Sequence, residues 1–221
     1  MQLSSIYMDT LENIFQIKQE YSYKRKPISY ELIFGILEAG YAAYEVENIA
    51  STRVIFVETE DTISKIAELS NNQNWIRDAP VVLVMCSDTK LHKKIHTKRD
   101  SELFSIQNCS MISQNILLAA SEFNLAGAIV NSFDQKKLRS LLSIPNDILV
   151  NNIITLGYPK FNTSPAVRKR IIKNVFYEKY SVKARSDKVF PIFENKKLKK
   201  LFLNFENKSD KLLFKLIKKF K

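Results

Sequence analysis

Apolar positions recur along this chain at two spacings, and the switch between them predicts most of its elements. Over residues 9–19, Leu11, Ile14 and Phe15 share a helical face with Lys18. A second helix is predicted in YELIFGILEAGYAAY, where Leu32, Ile33, Ile36 and Leu37 repeat at helical spacing and Ser29 stands at the capping position. Residues 53–57, RVIFV, read as a strand, residues 61–70 as a helix, and NNQN after them as a turn. The run PVVLVMC, residues 80–86, is continuously apolar and of strand length, the mark of a strand covered on both faces.

The second half alternates in the same way. KLHKKIHTKR, residues 90–99, reads as a charged loop or a frayed helix. Residues 102–123 form a long, mostly apolar helix, which belongs at the centre of a domain or an interface. A short strand follows at 127–130, and Ser132 with Gln135 three places on resembles a capping box for a helix to Leu142. Residues 153–156 are a strand stopped by Gly157 and Pro159, and 166–180 a further helix. Helices interleaved with strands, without an internal repeat, predict an α+β domain, a sheet with packed helices.

Composition adds one asymmetry. Residues 160–221 hold 19 basic and 5 acidic residues, a net +14, so the chain total of +11 leaves residues 1–159 at −3. A near-neutral domain over 1–180 with a basic extension over 181–221 is the expected division, with one core of ordinary size. In SDKLLFKLIKKFK, Leu212, Leu213, Leu216, Ile217 and Phe220 can share one helical face with lysines on the rest. That suits an arm packed on its own dimer, with an anionic membrane surface as the alternative and nucleic acid not expected. No apolar run approaches the roughly 18–20 residues of a membrane span. The N-terminus has acids and no basic n-region, so no secretory leader is expected. Cys86 and Cys109 read as buried structural thiols, and a cytoplasmic setting fits them.

Four glycines in the whole chain cannot assemble a dinucleotide fingerprint or a phosphate loop. His92 and His96 stand four apart, a spacing that metal sites use, but Lys93 and Lys94 fill the gap and would repel a cation. A solvated loop is the expectation there, with no metal and no nucleophilic triad.

The remaining chemical signal is in ordered strings. QNILLAASEFNLAGAIVNSFD resembles a helix followed by the strand that lies against the flavin ring in the FMN-dependent nitroreductase family. LSIPND followed by IITLGYP, Trp75 with Ala79–Pro80 before VVLVM, ELIFGILEAGYAAYEVEN ending at Asn48, and VRKRIIKNVFYEKY are similar to the family's other marks, in the same order. The resemblance covers roughly residues 10–180. It implies a nitroreductase-like mixed, mainly antiparallel sheet flanked by helices, in an intertwined homodimer. It implies hydride transfer from NAD(P)H through FMN to a quinone, a nitro compound or another small electron-poor acceptor. It points to Lys18, Gln19, Tyr44, Glu45, Asn48, Val130, Asn131, Ser132, Arg168 and Lys169 as cofactor-binding residues, with Arg168 and Lys169 at the phosphate. The cofactor carries the chemistry in such enzymes, so no catalytic side chain is expected.

The sequence also departs from the family pattern. IKQEY stands where an arginine-rich motif resembling Arg-Arg-Ser belongs, so Ile17 and Tyr21 take the places of bases. Tyr44–Glu45 stand for Pro-Ser, Ala50–Ser51–Thr52 for Gln-Pro-Trp, and Asn124–Leu125–Ala126 for Gly-Leu-Gly. A non-enzymatic dimer of the same fold, a binding or scaffold protein with a degenerate flavin site, is the alternative.

Overall fold

The computed structural model describes residues 10–17, 19–161 and 174–182. The chain divides into two compact units after Ala166, and each is described by itself. In the first, the element order is α1 (Thr10–Gln16), α2 (Tyr30–Tyr41), β1 (Thr52–Val57), α3 (Glu60–Leu69), β2 (Val81–Asp88), α4 (Thr89–Lys93), α5 (Lys98–Glu122), β3 (Ala126–Val130), α6 (Gln135–Leu141) and β4 (Ile148–Gly157). Short 3-10 turns lie at Val46–Asn48 and Asn74–Asp78. No helix among the described residues is long and apolar enough to cross a membrane.

The strands form one sheet in the order β1-β2-β4-β3, and all three pairings are antiparallel. One parallel bridge, Gln19 to Gly127, adds the only departure among the described residues. The expected sheet flanked by helices is therefore present. Strand β2 is buried from Val81 to Ser87, as its unbroken apolar run predicts. Its side chains alternate between two cores. Val82, Val84 and Cys86 join Ile63, Ile66 and Leu138 on the α3–α6 face. Leu83 and Met85 join Ile33, Ile36, Cys109, Ile112 and Ile116 on the α2–α5 face. Both cysteines are buried and free.

Several expected boundaries move, each for a physical reason. β4 begins at Ile148, five residues before its expected start. Asn151 and Asn152 hide that half, but both are satisfied inside: Asn151 donates to Ser87 Oγ at 2.6 Å, and Asn152 exchanges hydrogen bonds with Ser113. A register shift opposite Met85 and Cys86 accommodates the pair. α6 is capped by Asp134, which accepts from Lys137 N–H at 3.0 Å; Ser132 instead accepts from Asn71 Nδ2. The ionised Asp134 is favoured by those backbone donors, which hold its carboxyl below the usual range. Ser29 caps α2 as expected. In α1, Asn13 is the buried residue and donates to Leu118 O at 3.0 Å, while Leu11 and Ile14 stay exposed. The long helix starts at Lys98 under a Thr97 cap and turns serines and an asparagine, as well as apolar residues, toward the interior. Of the helix expected at 166–180, residues 174–180 are non-helical, and the rest lies outside the described residues. The basic tail over 183–221 also lies outside them.

Gly127 and Gly35 show how unequal glycines can be. A Cβ on Gly127 would meet Thr155 O and sit 2.8 Å from Leu117 Cδ2, whereas one on Gly35 meets nothing within 4 Å. Gly127→Ala should cost roughly 1–3 kcal/mol through overpacking. Gly35→Ala, on an exposed turn of α2, should add about 0.5–1 kcal/mol. Opposite shifts of the urea midpoint are the expected result; equal shifts would show that β3 can move away from α5.

Candidate functional site

Strand β3 is an edge strand, and its outer side is where the first group of expected site residues gathers. Gly127 O accepts Glu20 N–H at 3.1 Å, which draws Gln19 alongside. The same alternation turns the amide and carbonyl of Ile129 outward. Beyond Gly127 no backbone bond is made on that side among the described residues. Val130 is buried in the α3–α6 core, while Asn131 and Ser132 emerge exposed.

The segment 19–24 is held firmly. Tyr23 O–H donates to Glu20 O at 2.5 Å and lies 2.7 Å from Thr155 Oγ1, and Lys24 N–H donates to Tyr158 O at 2.8 Å. Burial pushes the Tyr23 phenol far up, so it stays a neutral donor. Tyr21 O–H donates to Gln19 Oε1 at 2.9 Å, and the Tyr21 ring meets Trp75 edge-on at 4.7 Å. Gln19 is thus oriented by a neighbour that stands where the family has a base.

Tyr44, Glu45 and Asn48 lie elsewhere, in the loop between α2 and β1. That loop feeds the opposite edge of the sheet, three strand spacings from β3, or roughly 14 Å. One chain therefore keeps the two groups apart. Tyr44 is 75% exposed. The Glu45 carboxyl takes a hydrogen bond from the Ser51 amide, but its Oε2 is buried without a partner among the described residues. Desolvation raises its pKa against the opposing pull of Arg53. Glu47 and Asn48 have φ of 56° and 57°, a left-handed conformation that costs a non-glycine residue roughly 1–2 kcal/mol.

A polar cluster behind the loop was not foreseen in the sequence. His92, expected in a solvated loop, is fully buried: its Nε2 lies 3.2 Å from Ser51 Oγ, and Phe104 packs edge-on against the ring. His96 Nε2 meets Glu47 Oε2 at 2.5 Å. Asn108 of α5 bonds the loop backbone from below. The signal available was an asparagine and serines at helical spacing on the stripe that also carries Cys109, Ile112 and Ile116. The histidines were misread because the lysines around them are exposed and dominate the local composition. Among the described residues, no group of three or more His, Cys, Asp or Glu side chains is placed to hold a metal.

A flavin ring needs amide, hydroxyl or backbone partners along its polar edge. Gln19, Asn131, Ser132 and the outward Ile129 amide are of that kind on one edge, and Asn48 is on the other. No hydrogen bond engages the Asn48 or Asn131 side chain among the described residues. In donor and acceptor type these residues are compatible with such a ring edge. Arg168 and Lys169, expected at the phosphate, and Lys18, expected at the cofactor, lie outside the described residues.

Comparison with known proteins places these observations. The model of the Nitroreductase family matches residues 69–158. A Methanothermobacter thermautotrophicus protein named "Putative NADH dehydrogenase/NAD(P)H nitroreductase" is 31% identical over 159 residues, covering 70% of this chain and 80% of that protein. The NADPH-flavin oxidoreductase of Vibrio harveyi is 25% identical over 174 residues, 76% of this chain and 72% of its own. Among solved structures, nitroreductase A of Vibrio parahaemolyticus superposes with a TM-score of 0.73 at 23% identity, covering 81% of each chain.

The buried cluster makes a pH prediction. Burial lowers the His92 pKa, His96 adds to the shift, and Glu47 opposes it. The fold favours the neutral ring, so its contribution is complete above the unfolded value of about 6.5 and is lost as pH falls below it. The urea midpoint of the wild type should drop between pH 7.5 and 5.5 more steeply than that of His92→Gln. Parallel slopes would place His92 in its ordinary range.

Proposed function

This chain belongs to the nitroreductase family of oxidoreductases, and on that premise we propose that it is an FMN-dependent NAD(P)H oxidoreductase acting as a homodimer. The observation that carries the reading is the outer edge of β3. There Gln19 bridges to Gly127, and the outward Ile129 amide and the exposed Asn131 and Ser132 follow along the strand and past its end. The flavin named in the Vibrio harveyi relative supports the same reading. FMN, when bound, supplies the redox chemistry, taking a hydride from NAD(P)H and returning two electrons to an electron-poor acceptor such as a quinone or nitro compound.

The chain's own residues bind and orient. Gln19 and Asn131 present amides to the ring edge, and Ser132 adds a hydroxyl. Lys18, Arg168 and Lys169 are assigned to the phosphate, which requires cationic partners. Tyr44, Glu45 and Asn48 complete the site from a second copy, because a single chain holds them at the far edge of its sheet. A protonated Glu45 would offer a hydrogen bond in place of a second negative charge beside reduced flavin. Exposed Leu103 and Ile106 on α5 and Leu11 and Ile14 on α1 supply apolar surface for that partner. The buried thiols Cys86 and Cys109 suit a reducing cytoplasm.

The purified protein should be yellow and should release FMN on acid treatment. A colourless protein that takes up no added FMN would instead support a binding protein of the same fold. A charge-assisted phosphate contact is worth roughly 1.5–3 kcal/mol, so Arg168→Ala should weaken FMN binding about ten- to a hundredfold while Lys173→Ala does little. Equal, small effects would make that segment a charged surface only. Light scattering at low concentration should return about twice the 25.6 kDa chain mass. A monomer would leave Tyr44 and Asn131 unable to share one flavin.

A further inference from the structure

A buried polar side chain needs partners, and α5 buries four on its inward face: Ser101, Ser105, Asn108 and Ser113. The three serines return their hydroxyls to carbonyls of the preceding turn, those of Thr97, Ser101 and Cys109. Asn108 does not. Its Oδ1 accepts the Val46 N–H at 2.7 Å, and its Nδ2 donates to Ile49 O at 3.0 Å and to Ser51 Oγ at 3.3 Å. The residue is fully buried. One side chain thus bonds three positions across a loop whose middle residues, Glu47 and Asn48, are left-handed without being glycine. Such a conformation persists where its surroundings over-determine it. Two further contacts brace the same loop: His96 clasps Glu47 from outside, and His92 backs Ser51 from inside.

We propose that Asn108 is a positioning residue for the flavin site, fixing the loop that carries Tyr44, Glu45 and Asn48 in the shape the cofactor requires. The role rests on the FMN-dependent reading above. An amide suits it because it can accept from one backbone N–H while donating to a carbonyl and to a hydroxyl at once. Asn108→Asp keeps the Val46 bond and loses both donations. Asn108→Leu, close in volume, loses all three.

The test uses the full-length chain freed of flavin, with Asn115→Ala as control. Asn115 lies on the same helix and donates to Ala39 O at 3.5 Å, in an exposed hydrogen bond. Hydrogen exchange reads the loop, and FMN titration followed by fluorescence reads the site. In Asn108→Leu the amides of Val46, Ile49 and Ser51 should exchange about tenfold faster or more, with β2 and β4 unchanged, and FMN affinity should fall by about the same factor. Asn108→Asp should fall between this and the wild type, and Asn115→Ala should move neither readout. Unchanged loop exchange in a folded Asn108→Leu protein overturns the proposal. Faster exchange with unaltered FMN affinity also overturns it, leaving Asn108 a structural residue. A wild type with no affinity for FMN overturns the functional reading and the positioning role with it, and is told apart because the exchange measurement needs no flavin. Should Asn108→Leu fail to fold, His96→Gln at the loop's outer side must loosen Glu47 and Asn48 and weaken FMN binding together; no change in either overturns the proposal.

Discussion

The pairing of β2 with β4 is the constraint on which the rest of this domain depends. Every side chain from Val81 to Ser87 is buried, so the central strand needs apolar cover on both faces at once. Fully burying each Val, Leu or Met side chain contributes roughly 1.5–3 kcal/mol, and that is available only when α3 and α6 close one face and α2 and α5 the other. Both faces of the sheet are then spent on stability. Chemistry is left to the two edges and to the loops that enter them.

Those edges are handled differently. At β3 the N-terminal segment bridges Gly127 through Gln19 and then turns away across Pro159, tied by Tyr23, and among the described residues the backbone groups past Gly127 make no bond on that side. At β1 the chain enters through a loop that carries exposed Tyr44, a partly desolvated carboxyl at Glu45 and two strained residues. A loop of this kind cannot rely on its own contacts. Asn108 of α5, His92 of α4 and His96 of the turn between them brace it, and they use polar groups where the opposite face of the sheet uses isoleucines and valines. The difference follows from what must be held. Apolar packing locates side chains, whereas a strained backbone needs its N–H and C=O groups bonded in place.

The elements were legible wherever one periodic signal acted alone. The continuous run of β2, the spacing of α2 with its Ser29 cap, and the short β3 followed from local pattern because burial repeats at the period of the element. The ordered strings from Trp75 to Pro159 carried the family. Legibility failed where a polar residue was satisfied by a partner distant in sequence. Asn151 and Asn152 fall outside the expected strand until Ser87 and Ser113 are placed opposite them. His92 looks solvated until Ser51 and Phe104 enclose it.

By itself, the sequence determined most element types, the doubly covered strand and the family. Tertiary structure alone decided where the expected site residues stand. It set Gln19 against Gly127 of the edge strand that ends at Asn131 and Ser132, put Tyr44, Glu45 and Asn48 at the other edge, and aimed Asn108 at a backbone some sixty positions earlier. The physical reason is range. Helical and strand periodicity reflect burial within a few residues, while the strand order and the partners of buried polar groups are fixed by contacts that no local window contains.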